Sequence, residues 1–128
     1  MNFLLDTCTF LWVITNAPEL SKRAKEVFIN PENDFFLSSV SCWEMAIKCS
    51  LGRLPMPKPP FEYIPNQREK HGILPLELDE ASALHLTRLP DLHKDPFDRM
   101  LVSQALVCSL TILTPDKLIS QYPAITVW

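Results

Sequence analysis

The first fourteen residues, MNFLLDTCTFLWVI, contain the stretch that decides the fold: the apolar run Phe3-Leu4-Leu5, which ends at Asp6-Thr7. An uninterrupted apolar run bounded by polar residues is typical of a strand that is buried on both faces. Asp6-Thr7 can cap the short apolar helix predicted over 9–14. The sequence therefore opens with a buried strand whose carboxyl end carries an acid and leads into a helix.

Three further acids, Glu44, Asp98 and Asp116, also stand near transitions from apolar strand-like runs to helix-like ones. Strands are predicted at 35–37 and 110–113, and alternation of strands with helices indicates an α/β fold whose parallel sheet is covered on both faces. Ligands of such sheets bind along the rim formed by the carboxyl ends of the strands. Acids that are distant in sequence could therefore meet there. Clustered oxygen ligands favour Mg²⁺ or Mn²⁺, the usual equipment for hydrolysing a phosphodiester.

The remaining elements follow from periodicity and capping signals. One helix is predicted to begin at Ser21, and another to begin after the caps at 38–41 and end at Gly52. Further helices are predicted over 61–71, 80–89 and 95–108, and a short helix is predicted to begin at 114–116. Two more strands are predicted, at 73–78 near a sheet edge and at 125–128. In the helix that ends at Gly52, the predicted apolar face comprises Trp43, Ala46, Ile47 and Leu51, while Glu44 and Lys48 share the polar side.

Composition limits the class of protein. The 128 residues predict a single domain, residues 1–128, and 47% hydrophobic with 21% charged residues is typical of a globular protein. The net charge of −3 lacks the basic footprint of most nucleic-acid-binding proteins, although bound cations would cancel part of it. With only Gly52 and Gly72, glycine-rich phosphate loops are excluded. Four cysteines without a CxxC pair, and no long apolar run, indicate a soluble cytoplasmic protein with the thiols in its core.

Each acid also has a purely structural explanation. Asp6 can act as a helix cap, Asp95-Pro96-Phe97-Asp98 resembles a capping arrangement, and an acid in a first helical turn suits the helix dipole. Against this, Asp6 and Asp98 have very apolar surroundings, and a buried carboxylate is costly unless it is paired or binds a metal. Arg99 could pair with one acid but not with four.

Several weaker candidates accompany the acids. Lys48 and Arg53 stand in a stretch without acids, 48–61, that could lead a phosphate backbone toward a metal, although Lys48 is equally well explained as a favourable charge at a helix end. His93 could orient substrate, although a histidine in a loop is more often solvated.

The chain resembles the PIN domain family, and within it the VapC-type ribonuclease toxins of bacterial type II toxin–antitoxin pairs. The resemblance rests on Leu4-Leu5-Asp6-Thr7 followed by Leu11-Trp12, on SSVSCWEMAIK at 38–48, on HKDPFDRML at 93–101, on Thr114-Pro115-Asp116, and on the ending at 122–128. It covers essentially the whole length. One departure is Cys8, where this subgroup commonly has histidine.

The resemblance implies a three-layer αβα fold around a parallel sheet of about five strands. It also implies that Asp6, Glu44, Asp98 and Asp116 bind Mg²⁺ or Mn²⁺ and carry catalysis, with Asp95 as a nearby fifth carboxylate. Asp6 and Asp98 would hold the main cation, Glu44 and Asp116 would complete the pocket directly or through water, and Arg99 would orient carboxylates. Thr7 or Thr114 could place a water or a phosphate oxygen. Similar proteins cut RNA, form homodimers and are silenced by a cognate antitoxin.

Two rival functions stay open at this point. An aspartyl-phosphate phosphotransferase would suit an acid after the first strand, but its usual second Asp is replaced by Cys8. A non-catalytic PIN-like scaffold that only binds a partner protein would not need the intact set of acids.

Overall fold

The computed structural model describes residues 1–128 and contains five strands and six α-helices. Two short 3₁₀ turns, Leu86–Arg88 and Ile119–Gln121, complete the fold. In chain order the elements are β1 (Asn2–Leu5), α1 (Thr7–Thr15), α2 (Lys22–Ile29), β2 (Asp34–Ser38), α3 (Ser39–Ser50), α4 (Pro60–Lys70), β3 (Leu74–Leu76), α5 (Glu80–His85), α6 (Pro96–Cys108), β4 (Thr111–Leu113) and β5 (Thr126–Val127).

All five strands are parallel and lie in the order β3-β2-β1-β4-β5. Strand β1 is central, with Leu5 paired to Leu37 of β2 on one side and to Leu113 of β4 on the other. The chain turns in opposite directions from β1 to these two neighbours, so a crevice forms at the carboxyl ends of β1 and β4. Asp6 and Thr114 are the first residues after these two strands.

Alternation along the strands divides the core into two apolar clusters, one on each face of the sheet. In β1, Phe3 and Leu5 pack in one cluster with Phe10 of α1, whereas Leu4 packs in the other with Leu101 of α6. This is the twofold periodicity of a strand with both faces covered. The prediction of an α/β fold with a parallel sheet of about five strands between helical layers is confirmed.

Two of the predicted helices are shorter in the structure than the sequence indicated. Helix α5 ends at His85 and continues only as a 3₁₀ turn to Arg88, and residues 114–116 open a turn rather than a helix. After Asp116 a single backbone bond of helical type is formed, from the amide of Ser120 to the carbonyl of Asp116, before the 3₁₀ turn. A segment this short does not repay the cost of helix nucleation.

The predicted apolar face of α3 is wrong. Trp43 and Leu51 are both 62% exposed, while Glu44 is 5% exposed and Met45 is fully buried. The buried side of α3 faces α1 and α6, with which the helix makes contacts, and this side includes the carboxylate. Periodicity assigned polar residues to solvent, but the crevice at the strand ends is itself a polar, partly enclosed environment.

No helix of the fold has both the length and the apolar composition needed to cross a membrane.

Candidate active site

Three helices begin at the rim where the strands end, and each is capped by a side chain from that rim. Asp6 Oδ1 accepts from the amide of Thr9 at the start of α1 (2.8 Å), Ser38 caps α3, and Asp95 Oδ1 caps α6. The amino ends of these helices carry partial positive charge and unpaired amides. They therefore offset part of the cost of gathering carboxylates at this rim.

Asp6 and Asp116 are joined through Thr114. The Thr114 hydroxyl donates to Asp6 Oδ2 (2.5 Å) and accepts from the amide of Asp116 (3.0 Å). Asp6 and Thr114 are buried, at 5% and 3% exposure. The two loops that follow β1 and β4 are thus tied together by a single hydroxyl, which sets the orientation of the Asp6 carboxylate.

Glu44 extends from α3 to the same place and is held at both oxygens. Its Oε1 accepts from the Thr7 hydroxyl (2.7 Å), which also lies 3.0 Å from the hydroxyl of Ser41. Its Oε2 pairs with the ammonium of Lys48, one helical turn further along α3. The Thr7 hydroxyl thus donates to Glu44, and its role in placing a water or a phosphate oxygen stays a prediction.

Asp98 lies in the first turn of α6 and is held by His93. The distance from His93 Nε2 to Asp98 Oδ2 is 3.0 Å, and His93 Nδ1 accepts from the amide of Asp95 (3.3 Å). Because Nδ1 is an acceptor, a neutral imidazole carries its proton on Nε2 and donates it to the carboxylate. Only 14% of the His93 side chain is exposed, so this histidine is a structural part of the site and not the solvated residue that its position in a loop indicated.

The pKa values of two of the acids are raised by burial and by the charges of the neighbouring acids. Burial, followed by the negative charges of Asp95, Asp6, Glu44 and Asp116, raises the pKa of Asp98 to about 7. Burial also raises the pKa of Asp6, and the hydrogen bonds from Thr114 and Thr9 offset part of that rise. Such crowding destabilises the ionised protein and is characteristic of functional sites.

The donors fit a hard divalent cation. Three possible ligand atoms, one each from His93, Asp98 and Asp116, all lie within 4.8 Å of one another. Mg²⁺ and Ca²⁺ bind oxygen at about 2.0 to 2.6 Å, so one ion could contact oxygens up to about 5 Å apart. An excess of carboxylate oxygens, with one imidazole that donates to a carboxylate, suits Mg²⁺ or Mn²⁺ better than zinc.

The structure places the other predicted residues around this cluster or away from it. Arg99 donates to the carbonyl of Pro90 (3.0 Å) and to the hydroxyl of Tyr122 (3.2 Å), which also accepts from the amide of His93 (2.8 Å). It therefore reaches the carboxylates only through the loop that holds His93. Arg53 is exposed beyond the end of α3.

Cys8 is exposed, and Cys42, Cys49 and Cys108 are only partly buried. The prediction that the four thiols lie in the core is therefore wrong for Cys8 and is met only in part by the other three. Partial burial of its thiol, together with the negative charges of Asp6 and Glu44, raises the pKa of Cys8 to about 11. The thiol therefore remains protonated near neutral pH and does not offer a thiolate to a metal.

Tyr122 is the supporting residue that the sequence did not single out; its position in the ending common to the resembled family was the available signal.

The class of protein is defined by a parallel sheet and the acids at its rim. Acids follow the carboxyl ends of β1 and β4, a buried glutamate lies on α3, and an aspartate lies in the first turn of α6. The PIN domain family model matches residues 3–125, and the chain belongs to this family. Among individual proteins it is similar to Ribonuclease VapC16 of Mycobacterium tuberculosis, at 33% identity over 69 residues. That match covers 54% of this chain and spans about half, 49%, of the length of the relative.

Solved structures share the fold across nearly the whole chain. A crystal structure of VapBC2 from Rickettsia felis bound to a DNA fragment from its promoter matches with a TM-score of 0.74 at 17% identity, over 100% of this chain and 99% of that one. DNA-bound VapBC from Salmonella typhimurium matches with a TM-score of 0.69 at 19% identity, over 100% and 97% of the two chains. FitAcB from Neisseria gonorrhoeae matches with a TM-score of 0.63 at 18% identity, over 98% and 96%.

Proposed function

We propose that residues 1–128 act as one PIN domain and that the protein is a metal-dependent endoribonuclease, the toxin of a type II toxin–antitoxin pair. The observation that carries this proposal is the geometry of the crevice: Thr114 joins Asp6 to Asp116, and ligand atoms of Asp116, Asp98 and His93 lie within 4.8 Å of one another. Glu44 reaches the same crevice by accepting from Thr7, the residue after Asp6. Membership of the PIN domain family and similarity to a ribonuclease support it.

In the proposed reaction, a water molecule loses a proton as its oxygen bonds to the phosphorus of an RNA linkage. The bond from phosphorus to one ribose oxygen breaks, and that oxygen takes up a proton. Bound Mg²⁺ or Mn²⁺ would make the attacking water more acidic and neutralise charge on the phosphate. Asp6 and Asp98 would hold the cation, with Asp116 and Glu44 completing the pocket directly or through water.

The protein's own residues prepare this pocket. Thr114 orients Asp6, and His93 orients Asp98 by donating from Nε2. Hydrogen-bonded neighbours of this kind fix the direction in which a ligand presents its lone pairs. The exposed Arg53 would contact the phosphates of the bound strand outside the crevice.

The test is cleavage of a labelled total-RNA pool by the wild type and by Asp6→Asn, each with Mn²⁺ and with EDTA. Discrete fragments that require both the metal and Asp6 are expected. A matched control is Asp34→Asn, since Asp34 is an exposed acid at the opposite end of β2. Equal cleavage by wild type and Asp6→Asn would refute the nuclease assignment, and calorimetry without a Mn²⁺ site would favour a binding scaffold instead.

We also propose that an antitoxin protein binds the groove between α3 and α4. This groove of about 330 Å³ is lined mostly by apolar side chains, and it includes Trp43 and Phe61, which are 62% and 84% exposed. An exposed apolar groove between two helices suits the apolar face of a partner helix. Structures of VapBC complexes with the same fold support this choice of partner.

Its test is co-expression with the product of an adjacent small gene. Phe61→Ser should release the partner, whereas Ile29→Ser should not, because Ile29 is 75% exposed on α2, away from the groove. We further propose that the protein is a cytoplasmic homodimer without membrane association, which light scattering of the purified chain and cell fractionation would check.

A further inference from the structure

Glu44 differs from the other acids of the site because one of its oxygens pairs with a lysine. Asp6 is also engaged at both oxygens, but by the uncharged groups of Thr9 and Thr114. Oε1 accepts from Thr7 at 2.7 Å and Oε2 pairs with Lys48, while the side chain is 6% exposed. A metal ion that bound Oε2 directly would be repelled by the ammonium of Lys48 that is already paired there. The position of Glu44 is therefore better suited to holding the ammonium of Lys48 in a defined place than to binding a metal directly.

Lys48 is the one lysine or arginine that forms an ion pair with one of the four acids of this crevice. Arg99 is directed to Pro90 and Tyr122, and the imidazole of His93 is directed to Asp98. The Lys48 side chain is 44% exposed, and its ammonium pairs with Glu44, whose other oxygen accepts from Thr7 at the start of α1. The negative charge of Asp95, which caps α6, also acts on the ammonium. The ammonium therefore faces the space between α1, α3 and α6, and solvent can reach it.

The ordinary explanation is a surface pair at i and i+4, which contributes only a few tenths of a kcal/mol to a helix. That explanation suits Lys58 and Glu62, whose side chains are 60% and 46% exposed. It does not suit Glu44, because a carboxylate that serves only to stabilise a helix has no reason to be buried beside other carboxylates. The crowded acids also repel RNA, so a fixed cation at their edge has a clear use.

We propose that Lys48 is a catalytic residue: its ammonium, positioned by Glu44, binds a non-bridging oxygen of the scissile phosphate and stabilises the charge that develops there. This role rests on the proposed ribonuclease function. Glu44 is then a positioning residue whose link to the metal pocket runs through Lys48 and water. An ammonium fixed in advance is effective because little reorganisation is needed as charge develops on the phosphate.

The test compares Lys48→Met and Lys48→Arg with wild type on one defined RNA that the wild type cuts. Removing one preorganised donor to a developing oxyanion typically lowers kcat by about 10² to 10³, so Lys48→Met should lose about 10²-fold in kcat with little change in KM. Lys48→Arg keeps a cation and should recover part of this loss. Lys25→Met removes the same charge from the exposed surface of α2 and should match the wild type.

A double-mutant cycle tests the role of Glu44 and also avoids leaving a buried, unpaired carboxylate. If Glu44 acts by holding Lys48, then Glu44→Gln combined with Lys48→Met should lose no more activity than Lys48→Met alone. Glu44→Gln should also keep its affinity for Mn²⁺, measured by calorimetry. Multiplied losses together with weakened Mn²⁺ binding would show that Glu44 is a direct ligand and overturn its positioning role.

The outcomes separate this inference from the proposed function. If the wild type cuts RNA and folded Lys48→Met cuts it equally well, the role of Lys48 is overturned and the nuclease stands. A rise in KM without a change in kcat would reduce Lys48 to ground-state binding and would likewise overturn it. If the wild type cuts no RNA, the proposed function fails, and the catalytic role of Lys48 fails with it.

Discussion

Replacing Asp98 by asparagine should stabilise the metal-free protein even though it removes a residue of the proposed site. The substitution keeps the shape of the side chain at the start of α6 and removes its charge. In the wild type, burial and four neighbouring acids raise the pKa of Asp98 from 3.8 to about 7. The folded state thus disfavours the ionised carboxylate, and this unfavourable contribution is absent from the variant.

The pKa difference sets the magnitude. Each pKa unit corresponds to about 1.4 kcal/mol, so the rise from 3.8 to about 7 amounts to about 4 kcal/mol above pH 7. Solvent reaches 18% of the Asp98 side chain and screens part of the repulsion, so we expect a gain of about 2 to 4 kcal/mol in the free energy of unfolding at pH 8.

The sign of the pH dependence follows from the direction of the pKa shift. A carboxyl with a raised pKa in the folded state favours folding most below its unfolded pKa, and this contribution is lost as pH rises toward the folded pKa. The wild type should therefore lose stability relative to Asp98→Asn between about pH 4 and pH 7. At pH 5 less than half of the difference expected at pH 8 should remain.

The assay is urea unfolding of both proteins in EDTA at pH 5 and pH 8. A second series with Mn²⁺ should reverse the order, because a ligand that binds only the folded wild type stabilises it by mass action. Glu26→Gln, which neutralises an exposed acid on α2, is the charge-matched control and should show no such pH dependence. If Asp98→Asn is no more stable than the wild type at pH 8 in EDTA, the inference that these acids crowd one another is refuted.

Three further predictions concern the parts that hold the site and the core. Thr114→Val removes the hydroxyl that joins Asp6 to Asp116 and should weaken Mn²⁺ binding about 10-fold or more; calorimetry checks this, and an unchanged affinity would contradict it. His93→Phe removes the donor to Asp98 and should reduce RNA cleavage about 10- to 100-fold, whereas His85→Phe on α5 should not; equal activities would refute the orienting role. Phe10→Ala in the fully buried core should lower the free energy of unfolding by about 3 to 5 kcal/mol, and a urea titration showing less than 1 kcal/mol would contradict the assigned packing.

The elements that the sequence predicted best are those whose strand or helix signals lie within a short stretch of residues. The strand at Phe3-Leu4-Leu5, the cap at Ser21 and the Asp95-Pro96 start of α6 were all predictable, because uninterrupted apolar runs and capping chemistry act within a few residues. The α/β class followed from their alternation.

Orientation within an element was less predictable. Periodicity assigned Trp43 to the buried face of α3 and Glu44 to the polar one, and the structure has Trp43 exposed and Glu44 buried. Hydropathy separates apolar residues from polar ones, but it does not distinguish bulk water from a polar crevice that is enclosed by three helices. Likewise, nothing near His93 in the sequence identified Asp98 and Tyr122 as its partners.

By itself the sequence determined the class of the fold and the approximate bounds of most elements, since these depend on residues close together in the chain. It also indicated the four acids, whose role in binding a metal stays a prediction. The tertiary structure alone decided the strand order, which places Asp6 and Thr114, 108 residues apart, within hydrogen-bond distance. It also decided that Glu44 holds Lys48 toward the crevice and that His93 holds Asp98. Such contacts depend on how the parallel strands are ordered and how helices pack over their ends, which no local pattern encodes.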